Sequence, residues 1–568
     1  MPFSEYSPEY GMNRNFMLAL VVILVAAAGF YLYGRTRTEA PAPDLAPVGA
    51  NLIEGLGDYS MPVTSKGKDV QRWFDQGLAM TYGFNHDAAE RSFLKAAELD
   101  PDCAMCWWGA SLVLGPHVNA KMDPANNAKA WDRLQRAQAA ADDATEKERA
   151  FIKALSARYA AEPPENRRPL DEAYAVAMGE LAAKYPDDLD AATMHAESQM
   201  DLQPWDYYDA NGQPKGHTAE VVSQLESVMQ RNPMHAGALH LYVHAVEASL
   251  DPSKGVAAAD TLRELLPGSG HLVHMPAHIY ARVGRYHDAV LANQKAIAAD
   301  DSYLAICKPG PGVYPLGYVP HNHHFLWFAA TMEGASEVAV AAASSTGQRT
   351  SDPQLMRTPG FEAMQNYSLT PLYAAVRFGL WQQVMDTPKP ADDLPFMQAM
   401  WNYAQGMAAA RQGRIEDAMR FHEALVPATT NPDIEKMMVW DRYSLISGVQ
   451  IAERFVAAEL ARAAKDYEAA IAALKTAVTI EDTLLYDEPP AWHWPARQAL
   501  GAMLLAAGKP AEAEKAYRDE LQRNPENGWS LYGLAQALKA QGRTADAQDA
   551  SDRFARAWVN ADVDLSKT

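Results

Sequence analysis

An all-α superhelix of paired helices, set behind one N-terminal membrane-spanning helix, is the fold class this sequence predicts, and three observations carry it. Apolar runs with helical spacing, rich in alanine, fill most of the 568 residues, and Gly and Pro fall mainly between them. An uncharged run of 18 residues lies near the N-terminus. Near the C-terminus a pattern of small residues returns after 34 positions. A chain of this length exceeds one compact core and must form several domains or a quasi-linear array. Period-two alternation is scarce, which argues against a sheet domain.

The uncharged run is FMLALVVILVAAAGFYLY, from Phe16 to Tyr33. At about 1.5 Å per residue it just crosses a thin hydrocarbon core, with Tyr31 and Tyr33 where an interfacial aromatic belt belongs. A cleaved signal peptide is the competing reading, but the run is longer than a usual h-region and no clean small-x-small site follows it. Arg14 flanks one side and Arg35 with Arg37 the other, so the positive-inside rule taken literally leaves the body in the cytoplasm. The TEAPAPDLAP stretch after the anchor is a Pro/Ala-rich spacer of the kind that holds an exported domain off a membrane, and a periplasm-facing body is expected.

In the C-terminal region Gly508, Ala511 and Ala513 recur as Gly542, Ala545 and Ala547, each 34 residues on. Thirty-four is the period of the tetratricopeptide repeat (TPR), one helix–turn–helix per repeat, in which small residues let the two helices approach closely. A repeat buries its apolar face only against its neighbours. The same grammar appears from Trp73 through Gly77, Ala88, Phe93 and Ala96 to Pro101, and again at Gly284, Gly413 and Asp466. Roughly a dozen helix pairs would fill residues 68–558 at this period. Insertions at 203–216, 303–320 and 351–365 break the register. The chain thus divides into a tail (1–15), an anchor (16–34), a linker (35–67), an N-terminal array (68–234), His-rich central repeats (235–345), a C-terminal array (346–558) and a closing tail (559–568).

A formal net charge of −21 argues against nucleic-acid binding, which needs a basic surface to release counterions. The acidic residues are spread along helices, as on a solvated solenoid surface. Three cysteines, Cys103, Cys106 and Cys307, are too few for a disulfide scaffold.

Ten of the 16 histidines fall between residues 235 and 324. They form three motifs, His240-Leu-Tyr-Val-His244, His271-Leu-Val-His274-Met-Pro-Ala-His278 and His321-Asn-His323-His324, each where the first helix of a repeat belongs. His274 and His278 follow His240 and His244 by one TPR period, so equivalent positions on successive helices are expected to face one groove. Side chains at i and i+4 share a helix face about 6 Å apart, and packed helices lie some 8–10 Å apart, so four imidazoles converge across one gap. His271, His321, His324 and Glu247 are expected as the next shell. Imidazole nitrogen suits copper, zinc, iron or nickel; Met275 and Met200 tilt the expectation toward copper, with zinc and iron next. The competing reading is a set of hydrogen-bonded histidines that pack helices without an ion. His235, His287 and His422 read as ordinary surface or turn residues.

Cys103-Ala-Met-Cys106 is a CxxC with no following histidine, which leaves covalent haem unsupported; a redox pair, soft metal ligands or plain core packing remain open, core packing ahead. Trp492, His493 and Arg497, in the stretch from Glu488 to Arg497, suit a ligand groove and equally suit helix-start chemistry. His117 ends a helix and is a weaker groove residue. No Walker loop, nucleophile elbow or HExxH motif is present, so no nucleotide is expected.

Several stretches go beyond the generic repeat: FNHDAAERSF from Phe84, CAMCWWG from Cys103, HLYVHAVEAS from His240, GHLVHMPAHIY from Gly270 and HNHHF from His321. In these the chain resembles one branch of exported or membrane-tethered bacterial TPR proteins, which implies the solenoid and an envelope location but no reaction. Where that branch has Gly-Pro-Asn, this chain has Gly115-Pro116-His117.

The expected protein is a membrane-anchored TPR scaffold that binds a transition metal in its central repeats and docks a protein partner, such as a membrane-complex subunit, on its concave face. A metal-free adaptor is the first alternative and a His-ligated copper or iron oxidoreductase the second, with binding expected ahead of catalysis. Orientation is testable directly: a topology reporter fused after residue 60 should signal export, and a cytoplasmic signal would reverse the assignment.

Overall fold

The computed structural model describes residues 50–209 and 211–566; the anchor expected at residues 16–33 lies outside the described residues. Among the described residues no helix is long and apolar enough to cross a membrane. They form antiparallel α-helices packed in sequence order, with a single two-stranded hairpin pairing Met438–Val439 with Tyr443–Ser444. One hydrophobic core runs without interruption from Leu56 to Ala550, as expected where each repeat covers the next.

The spacing of small and large residues explains how the helices approach. Phe93, on helix His86–Leu99, fits against Gly77 and Gly109 on the helices to either side; a Cβ on either glycine would lie 2.5–2.6 Å from its ring. At the other end of the chain Tyr517 sits between Gly501 and Gly533 in the same way, with the ring again 16 residues after one glycine and 16 before the next. The repeat unit is therefore a large ring held between two backbones, and it recurs at both ends of the array.

The turn inside each repeat also recurs. The first helix ends in a residue with positive φ, and the next amide reaches back five residues, as in Arg285 N–H to the Tyr280 carbonyl (2.7 Å) and Lys509 N–H to the Leu504 carbonyl (2.9 Å). Glycine fills that left-handed position at Gly284, Gly413, Gly508 and Gly542, because only it lacks the Cβ that clashes there. In the first repeat the position belongs to Phe84, at φ 51°, with Asn85 N–H closing the same turn onto the Met80 carbonyl (3.0 Å).

The superhelix also folds back on itself. The first repeat packs against the central ones: Gly237 abuts the Tyr82 ring, and the Gly268 amide donates to the Gly55 carbonyl (2.8 Å). The last repeats return to the same region, with the Trp529 indole donating to the Thr331 carbonyl (2.7 Å) and the Ser336 amide to Asp562 (2.7 Å). The central repeats are thus covered from both ends of the described chain.

Gly533→Ala should lower the unfolding free energy by about 1–3 kcal/mol by overpacking the Tyr517 ring. Denaturant melts should show a smaller loss in a Tyr517→Leu background, since the two sites are in contact.

Candidate metal centre

Three consecutive inner helices carry the histidine motifs. His240 and His244 lie on Ala236–Glu247, one turn apart on one face. His271 and His274 lie on Gly270–His274, and His278 on Pro276–Arg282, the break falling at Pro276, whose ring nitrogen has no proton for the ladder. His321 lies on Val319–Glu333, behind a π-helical turn at Tyr314–Tyr318.

These helices bring together six rings rather than four. His240 Nε2 lies 3.1 Å from His271 Nε2. His274 Nε2 lies 2.7 Å from His278 Nε2 and 3.0 Å from His321 Nε2. His240, His244 and His271 form one group of ligand atoms, His274, His278 and His321 a second, and Glu247, His278 and Glu488 a third that shares His278, the atoms of each within 4.8 Å of one another. Equal-numbered positions of successive repeats are near but are not the closest partners: the His244 and His278 rings, 34 residues apart, have centroids 6.0 Å apart. The nearest partners, His240 with His271 and Glu247 with His278, are separated by 31 residues, so adjacent inner helices are staggered by about one turn. That stagger makes His271 a member of the first group instead of its periphery, and His321, beyond the insertion at 303–320, joins the second through His274.

Four of the six opposite ring nitrogens are held, whereas His271 Nδ1 is buried without a hydrogen-bond partner. His240 Nδ1 donates to the Tyr82 carbonyl (2.6 Å) and His274 Nδ1 to Asn293 Oδ1 (2.7 Å). The Asn293 amide is itself fixed, its Nδ2 donating to the Ala289 carbonyl (2.8 Å). Glu247 lies between the two groups, 2.9 Å from His244 Nδ1 and 2.6 Å from His278 Nδ1, and Glu488 presses on the same His278 nitrogen. Burial raises Glu247 to about 8, and burial followed by the Glu247 charge raises Glu488 well above the usual carboxylate range. A nearby cation would stabilise both ionised forms.

Five of the six rings are buried and His321 is half-buried. Burial alone lowers His244 to about 3; burial, then the His244 charge, lowers His321 to about 4. Burial, reinforced by neighbouring imidazoles, holds His240, His271, His274 and His278 well below the ordinary range. The rings are therefore neutral at neutral pH, the form that ligates metals.

Aromatic side chains from distant parts of the chain wall the site. The Phe84 ring, on its left-handed turn, lies 4.4 Å from the His240 centroid, 4.5 Å from His117 and 5.6 Å from His271. Trp205 meets His244 edge-on (5.3 Å), Tyr318 meets His271 (4.6 Å) and Phe325 stacks on His278 (5.0 Å). A bulky residue held in a left-handed turn is backbone strain of the kind that collects at functional sites, of order 1–3 kcal/mol. Phe84 standing where other repeats have glycine was the sequence signal for this wall. Glu488 likewise belongs to the 488–497 stretch that composition singles out.

Other expected residues are placed elsewhere. His324 stacks on Trp327 and meets Tyr367 edge-on, both 5.1 Å away, and belongs to none of the groups of ligand atoms. His235 is a correction: it is fully buried, caps its helix by accepting from Ala238 N–H (3.2 Å), and meets the Tyr59 hydroxyl at 3.0 Å. His287 and His422 pair with Glu333 and Glu453. Cys103 and Cys106 are joined as a disulfide, so they offer no thiolate to an ion; Cys103 also caps its helix. Met200 and Met275 pack in the apolar core. A cavity of about 190 Å³ opens beside His278, lined by Phe325, Arg377, Glu488, Trp492 and His493. His493 stacks on Tyr373 (4.7 Å) and accepts from the Tyr403 hydroxyl (3.1 Å), whereas Arg497 is engaged with Asp482 (2.6 Å).

Residues 504–553 match the tetratricopeptide repeat family model. The match marks that helix pair as tetratricopeptide repeat, and the ring-and-glycine spacing found there recurs at Gly77, Phe93 and Gly109. No curated protein sequence matches it. Among solved structures it is similar to the APC/C hetero-tetramer Cut9-Hcn1 (14% identity, 84% of this chain and 78% of that one, TM-score 0.30). Similar too are human IFIT1 dimer with m7Gppp-AAAA (14%, 87% and 91%, 0.28) and yeast Tom70 (12%, 83% and 89%, 0.24).

The buried neutral histidines carry a stability signature. His493 is lowered to about 3 by burial and by the Arg377 charge, against an ordinary value near 6.5, so below pH 6.5 the unfolded chain takes up a proton the folded one refuses. Wild type should therefore lose stability relative to His493→Gln by about 1.4 kcal/mol per pH unit below 6.5, read by denaturant melts at pH 7.5, 6 and 5. Parallel pH dependence of the two proteins would contradict a neutral His493.

Proposed function

We propose that this chain is a membrane-tethered, exported TPR scaffold whose central repeats bind transition metal and whose outer surface docks a protein partner. The TPR architecture is that of a protein-interaction scaffold. One observation carries the metal: neutral imidazole nitrogens converge in a buried pocket while the opposite nitrogens of His240, His244, His274 and His278 are held by a carbonyl, a carboxylate and an amide, the arrangement that fixes metal-ligating histidines. The donor set is all imidazole, which suits copper first among the metals of this class, with zinc and iron as competitors. The Cys103–Cys106 disulfide accords with an oxidising compartment and so supports an exported body tethered through residues 16–33. Because the inner faces of the central repeats are buried by this chain's own rings, a partner is expected on the exposed faces of the repeats.

A second reading, metal-dependent oxidative chemistry, is favoured by the cavity beside His278, which would admit a small molecule to the metal's edge.

Protein purified without a His tag should carry metal by elemental analysis. Asn293→Ala, which frees the His274 ring, should weaken binding roughly 10- to 100-fold with helix content unchanged. A metal-free chain that also refuses added copper and zinc would leave only the adaptor.

A further inference from the structure

The proposed function requires an ion but leaves open how many. Two features separate the six rings into two sites. The first is the hydrogen-bond count at His274. Its Nδ1–H is committed to the fixed Asn293 oxygen, so its Nε2 carries one lone pair in the ring plane. Two other ring nitrogens, His278 Nε2 at 2.7 Å and His321 Nε2 at 3.0 Å, both aim at that one lone pair. A single lone pair accepts one N–H well, whereas three nitrogens pointing inward is what a cation collects. Ligands about 2.0 Å from a tetrahedral ion stand roughly 3.3 Å apart, close to the spacing here.

The second feature is the same pattern repeated beside it. His240 Nδ1–H is committed to the Tyr82 carbonyl, which leaves the Nε2 lone pair facing His271 Nε2 at 3.1 Å. His244, fully buried, turns an Nε2 with no hydrogen-bond partner into the same space. An orphaned buried nitrogen aimed at two others is costly in an apolar pocket unless something binds it. The rings adjoin across the two groups, His244 to His278 and His271 to His274 at 6.0 Å between centroids, as close as His244 to His271 within the first (6.2 Å); the ligand nitrogens, gathered within 4.8 Å in each group, are what separate the two. Glu247 spans them, one oxygen on the His244 Nδ1 and the other on the His278 Nδ1.

We propose that the centre is dinuclear. One first-row transition ion is held by His240, His244 and His271, a second by His274, His278 and His321, and Glu247 orients one ligand of each. Three imidazoles leave each ion an open position, and the second ion's side faces the cavity at His278. Two dications also explain why Glu247 and Glu488 are both present: their charge offsets that of the ions in a pocket otherwise walled by Phe84, Trp205 and Phe325.

The inference rests on the metal-binding reading, and stoichiometry separates the two. Untagged full-length chain, stripped with chelator and titrated with Zn(II) or Cu(II), should hold two ions per chain by native mass spectrometry. His271→Gln and His321→Gln should each hold one. One ion in the wild type overturns the dinuclear centre and leaves the proposed function standing; none overturns both. The wild-type count decides even if a variant does not fold.

Discussion

Gathering six imidazoles in one dry pocket is the constraint on which the rest of this structure depends. Each ring brings two nitrogens that must be satisfied away from water, at about 1–3 kcal/mol for each one left unpaired. The fold meets four of those twelve demands itself, through the Tyr82 carbonyl, the Asn293 amide and the Glu247 carboxylate. The Nε2 atoms of His240 and His271, and those of His274, His278 and His321, point at one another, and an ion would satisfy them together. A simple open solenoid would not exclude water from such a cluster. Here the first repeat supplies Phe84, a loop supplies Trp205 and the C-terminal array supplies Glu488, so the superhelix must fold back from both ends to close the site.

Much of the architecture was legible because repeat proteins write their contacts into spacing. The 34-residue return of Gly508 and Ala511 marked the helix pairs, and the three histidine motifs fall on inner helices as that period implies. Which rings meet was not legible from period alone. Helices pack with a stagger set by side-chain interdigitation, and here it amounts to one turn, bringing His271 rather than His274 against His240. A one-turn shift conserves the face and changes the neighbour. Contributions from far along the chain were hidden for another reason, since no periodicity links Phe84 or Glu488 to residue 278. Their traces are local: a bulky side chain in a turn position that wants glycine, and a Pro- and aromatic-rich stretch that breaks the repeat.

The separation between scaffold and site also shapes function. TPR arrays ordinarily present their inner wall to a peptide, but in the central repeats that wall is filled by histidine, phenylalanine and tryptophan rings of the same chain. Metal would therefore tie together the first, central and last repeats as well as supply chemistry, and its gain or loss would be felt across the whole superhelix. Partner binding on the outer faces and metal occupancy within are coupled to the extent that both depend on that closure.

X-ray absorption at the edge of the bound metal tests the central claim most directly, because it reads the ligands without a crystal. Chain loaded with copper or zinc should show about three nitrogen scatterers per metal near 2.0 Å, with the multiple-scattering pattern of imidazole rings. A first shell of sulfur, or of water-like oxygens without imidazole scattering, would contradict it.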